Sequence, residues 1–68
     1  MAFNMYTQLP RVKEYLSEKG YTKDIPVDVF WQSLMILFGM KRRTAENWVR
    51  NFNVVDLIVV KEGLVNFV

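Results

Sequence analysis

Between Leu9 and Phe52 apolar residues recur at helical spacing three times, and beyond them come two short β-branched runs. The first stripe, Leu9, Val12 and Leu16 with Tyr15 beside it, predicts a helix over about 9–19. Pro10 suits its first turn and Gly20 the left-handed position just past its end. Arg11, Lys13, Glu14, Glu18 and Lys19 face water, with the glutamates spaced to pair with Arg11 or Lys19. The second stripe, Phe30, Trp31, Leu34 and Phe38 with Leu37 or Val27, predicts a helix starting at Pro26 or Val27. Asp28 lies in its first turn, and Gly39 caps it after Phe38. Val29 and Ile36 fall off that stripe, beside Gln32 and Ser33, so this helix is apolar over more of its circumference than a three-helix domain covers. Either it is packed on two sides, or a second subunit or another protein covers the surplus.

Residues 21–25 are short and β-tolerant, and the residue before Pro26 avoids helical angles. An extended segment is expected there, paired with the C-terminal hairpin because a lone short strand is unstable. The third stripe organises the chain. A helix beginning near Arg42 and running to about residue 53 puts Ala45, Trp48, Val49 and Phe52 on one side. Arg43, Glu46, Asn47 and Arg50 repeat the same spacing on the other. Residues 57–60 and 64–68 then form apolar runs around Glu62-Gly63, compatible with a two-residue hairpin turn. That turn sets Val60 opposite Val65 and Ile58 opposite Phe67, with Lys61 at the tip. Residues 1–6 form an arm whose Phe3, Met5 and Tyr6 either pack on their own domain or meet a second subunit.

Composition narrows the function classes. The 68 residues suit one small domain, 51% apolar and 15% aromatic, which is enough to fold. Cysteine and histidine are both absent, which removes disulfides, the usual zinc sites, thiol nucleophiles and imidazole acid–base chemistry. The absence of cysteine fits a cytoplasmic setting. The near-uncharged stretch 29–40 is too short to span a bilayer. Carboxylates are scattered, and there is no glycine-rich phosphate loop. No enzyme activity, metal, cofactor or small-molecule substrate is therefore expected, and Tyr6, Tyr15 and Tyr21 are expected to be half-buried amphipathic residues.

Charge changes the picture through its position. Residues 1–40 balance to zero, 41–50 carry +3 and 51–68 carry −1. A local excess of this kind is what an electrostatic docking surface needs.

Helix, short strand, helix, turn, helix and hairpin, in that order, resemble the winged-helix branch of the helix-turn-helix proteins over nearly the whole chain. The residues carrying the resemblance are Gly39-Met40 in the turn and Arg43-Thr44-Ala45 opening the third helix. Trp48-Val49 and Phe52 on the buried stripe and Leu57-Ile58 entering the wing complete it. Two positions depart from the pattern: Lys41 stands where serine or threonine often caps the helix, and Asp56 where a glycine commonly precedes the apolar pair.

The resemblance implies an α+β winged-helix domain over 1–68 and a third helix that enters the major groove of double-stranded DNA. Arg43, Asn47 and Arg50 would face base edges or flanking backbone; Glu46 would accept from a cytosine amino group or orient a neighbouring arginine. Lys41, Arg42 and Thr44 at the helix start would meet phosphates, and Lys61 on the wing a further phosphate or the minor groove. The expected role is a regulator, or a replication or mobile-element accessory factor, acting as a homodimer or with a protein partner through Phe3, Met5, Val29 and Ile36. The alternative is a winged helix used as a protein-interaction module, an adaptor or inhibitor within a nucleoprotein complex.

Overall fold

The computed structural model describes residues 5–68. A 3-10 turn (Met5–Gln8) leads into α1 (Leu9–Glu18), β1 (Ile25–Pro26), α2 (Val27–Phe38), α3 (Arg42–Val54), β2 (Ile58–Lys61) and β3 (Leu64–Phe67). The strands form one antiparallel sheet in the order β1-β3-β2. This is the expected α+β winged-helix layout, with a C-terminal hairpin as the wing.

Each helix contributes one stripe to a shared core. Leu9, Val12 and Leu16 of α1 meet Phe30 and Leu34 of α2 and Ala45, Val49 and Phe52 of α3. Ile25, Ile58 and Val65 close the core from the sheet. Ala45 is fully buried, and its small side chain lets α3 cross close to α2. Trp48, half-buried, fills the edge of that crossing with its ring 5.5 Å from Phe38 and 6.0 Å from Phe52.

The helix ends show why the chain turns where it does. At the end of α1 the Gly20 N–H donates to the Ser17 carbonyl (3.0 Å) and the Tyr21 N–H to that of Leu16 (2.8 Å), with Gly20 at φ +90°. That pair of bonds is a Schellman motif. The end of α3 repeats it without glycine: Asp56 N–H donates to Asn53 (3.1 Å), Leu57 N–H donates to Phe52 (3.0 Å), and Asp56 holds φ +61°. The aspartate thus stands in the left-handed position that the winged-helix pattern gives to glycine, a conformation aspartate tolerates better than most residues.

The hairpin has the expected register, Val60 opposite Val65 and Ile58 opposite Phe67. Glu62 and Gly63 both have positive φ, +54° and +75°, as a type I′ turn requires. The wing does not project beyond the sheet. Pro26 lies opposite Leu64, and the Gly63 carbonyl accepts the Val27 N–H at 2.9 Å, so the turn sits on the opening of α2.

Several expectations need correction. The extended segment at 21–25 contracts to the two-residue β1, because the chain leaves α1 in a turn and bends through Thr22, Lys23 and Asp24 (φ +48°). That bend is locked to β3 by a reciprocal pair: the Asp24 N–H donates to Asn66 Oδ1 (2.8 Å), and Asn66 Nδ2 donates to Asp24 Oδ1 (3.1 Å). Ser33, grouped with the off-stripe residues of α2, is buried; its hydroxyl donates to the Phe30 carbonyl and so meets no unpaired polar penalty. Glu14 and Glu18 form no ion pair among the described residues. Instead the Arg11 guanidinium lies over the Phe38 ring (5.5 Å) and the Lys19 ammonium over Tyr15 (5.6 Å). Val29 is half-buried against the core while Ile36 stays 67% exposed. Met5 packs on its own core and Tyr6 sets its ring edge-on to Phe52 at 6.1 Å, whereas Phe3 lies outside the described residues.

Candidate nucleic-acid interface

The candidate surface is built on α3, and its placement follows from the two-stripe pattern. Burial of Ala45, Val49 and Phe52 turns Arg43, Glu46, Asn47 and Arg50 outward, and all four are exposed. Among the described residues no hydrogen bond or ion pair engages the side chains of Arg43, Asn47 or Arg50. They stand ready for an external acceptor. Lys13 gives the contrast: its ammonium lies over the Phe67 ring at 5.5 Å, within its own domain.

The start of α3 adds a second element. Lys41 occupies the cap position in an extended conformation (φ −74°, ψ 157°) and makes no side-chain cap bond. Its carbonyl accepts the Ala45 N–H at 3.0 Å, which begins the helical ladder. The first-turn amides therefore point outward without a side-chain acceptor, at the positive end of the helix dipole. Lys41, Arg42, Arg43 and Thr44 surround them, all exposed. A serine or threonine cap would satisfy one of those amides; lysine leaves them available to an anion.

Arg42 behaves differently from its neighbours. Its guanidinium lies 4.7 Å from the centre of the Trp31 ring of α2, and its Nε donates to Glu46 Oε1 at 3.0 Å. A neighbouring arginine is one of the two partners expected for Glu46, and the Arg42 contact brings the two together. Trp31, on the core stripe of α2 by its spacing, is half-buried and also supports an arginine of the next helix. No spacing rule within one helix links these two residues, so only the tertiary arrangement discloses the contact.

Lys61 is exposed at the end of β2, opposite Leu64. Since the hairpin turn rests on α2, Lys61 stands at the rim of the sheet and not on an extended finger. Elsewhere, no cluster of carboxylates that could hold a metal occurs among the described residues. An open groove of about 390 Å³ lies between α1 and α2, lined in part by Tyr15, Tyr21, Val29 and Ile36. None of the described helices is long and apolar enough to cross a membrane.

No protein-family model, curated protein or solved structure matches the chain. What the structure itself gives is a layout of three helices and a three-stranded antiparallel sheet in winged-helix-like order, with the Arg43–Asn47–Arg50 face of the third helix outward.

Proposed function

We propose that this protein binds double-stranded DNA by laying α3 in the major groove, and that it belongs to the winged-helix superfamily. One observation carries the reading: the outward stripe of Arg43, Asn47 and Arg50 has no hydrogen-bond or ion-pair partner among the described residues and adjoins a basic helix start without a side-chain cap. Arginine pairs bidentately with guanine and asparagine with adenine, while Lys41 and Thr44 reach phosphates flanking the groove. Lys61 adds a peripheral phosphate contact. The protein then acts in the cytoplasm as a regulator or as a replication or mobile-element accessory factor. So small a reading surface gains useful specificity from a second copy or a partner.

The test is a mobility-shift titration with random-sequence duplex DNA at 50 and 200 mM salt. Three cationic phosphate contacts, through Lys41, Arg42 and Lys61, predict an affinity loss of roughly 40-fold between the two concentrations through counterion release. Arg43→Glu with Arg50→Glu should abolish the shift and leave the melting temperature nearly unchanged, because both side chains are exposed and neither makes a hydrogen bond or ion pair among the described residues. Binding that survives the double reversal removes α3 from the groove.

A second reading is a winged helix used for protein contacts, favoured by Ile36, which is 67% exposed beside the α1–α2 groove. Absence of any shift at low salt would transfer the reading to that surface.

A further inference from the structure

We infer that Arg42 is a pre-ordered phosphate clamp, and that Trp31 and Glu46 are the positioning residues that hold it. The inference rests on the DNA reading above and assigns Trp31 and Glu46 a part in it.

Two contacts from two helices fix one guanidinium. The Trp31 ring of α2 supports its face at 4.7 Å, and Glu46, one turn further along α3, takes its Nε–H at 3.0 Å. Arginine has five N–H donors in a planar fork, and only the Nε–H is spent here. The Nη edge stays open, and the Arg42 side chain is 67% exposed. A phosphate takes two parallel N–H bonds from such an edge. Arg42 is also the first residue of α3, at the positive end of the helix dipole, where an anion is favoured. Free arginine side chains lose rotamer freedom when they bind; this one has already lost much of it to Trp31 and Glu46. Glu46, committed to Arg42, then acts on DNA through the arginine and does not read a base itself.

Sign separates this arrangement from a merely structural one. A carboxylate on a DNA-facing surface repels phosphate, so electrostatics alone predicts that Glu46→Gln strengthens binding. If Glu46 positions Arg42, the same substitution weakens it. Fluorescence anisotropy with a labelled random-sequence duplex, at two salt concentrations, reads the difference. Arg42→Ala should lower the salt slope by about one. Glu46→Gln should weaken binding about two- to fivefold in the wild-type background, the range of a weak ion pair. In the Arg42→Ala background Glu46→Gln should tighten binding, since only repulsion remains. Trp31→Leu should weaken binding by a similar factor. Glu46→Gln, at an exposed position, still decides the matter where Trp31→Leu loses the fold. Tightening by Glu46→Gln in both backgrounds overturns the clamp and leaves the groove assignment standing, provided Arg43→Glu with Arg50→Glu abolishes binding. No binding by the wild-type protein at either salt overturns both.

Discussion

Replacing Glu62 by asparagine should make the domain more stable, and the size of the gain can be worked out from the turn. Glu62 and Gly63 hold φ of +54° and +75°. A left-handed conformation costs an ordinary L-residue roughly 1–2 kcal/mol, and asparagine tolerates it far better. Glu62 is exposed and takes part in no ion pair or hydrogen bond among the described residues, so the substitution removes nothing else. A gain of about 0.5–1 kcal/mol follows, which in a domain of this size raises the melting temperature by about 2–8 °C. Gly63→Ala is the control of opposite sign. A Cβ there would meet no atom within 4 Å, so its cost is the backbone angle alone, about 1 kcal/mol. Thermal unfolding followed by circular dichroism reads both. Should Glu62→Asn leave the midpoint unchanged or lower it, or should Gly63→Ala prove harmless, the left-handed pair is not what sets the hairpin.

Three further outcomes follow from the packing. Phe52→Ala should remove about 3–5 kcal/mol from a fold whose whole stability is about 3–10 kcal/mol, leaving much of the protein unfolded in a denaturant titration at 37 °C; a midpoint near that of the wild type would show that Phe52 is not central. Asp56→Gly should raise the melting temperature by a few degrees, the relief at φ +61° exceeding the extra freedom glycine gives the unfolded chain by less than about 1 kcal/mol. Ile36→Glu should change stability by no more than about 0.5 kcal/mol, because the side chain is 67% exposed. A larger loss in the same melt would show that a second copy covers this residue, and sedimentation would then report a change of mass.

Much of the fold could be read from local pattern because its signals are local. Pro10 and Gly20 bracket α1, Gly39 ends α2, and Glu62-Gly63 sets the register of the hairpin. The short β1 was less legible, since a strand of two residues exists only through its partner, and the Asp24–Asn66 lock joins residues far apart in the chain. The burial of Ser33 is not legible from residue type, because a hydroxyl is polar at every position; its bond to the preceding turn lets it sit in the core. On α3 the spacing of Arg43, Asn47 and Arg50 was enough to set their direction, because Ala45, Val49 and Phe52 leave no alternative. The commitment of Arg42 to Trp31 was not, because it depends on the angle at which two helices cross.

The position of β3 has a consequence for how the chain can be shortened. It lies between the other two strands, and the carbonyl just before it receives the amide that opens α2. Deleting residues 64–68 would strip the neighbours on both sides at once and pull Val65 out of the core. Removing them should therefore yield no trimmed helical remnant, only a collapsed or protease-sensitive chain.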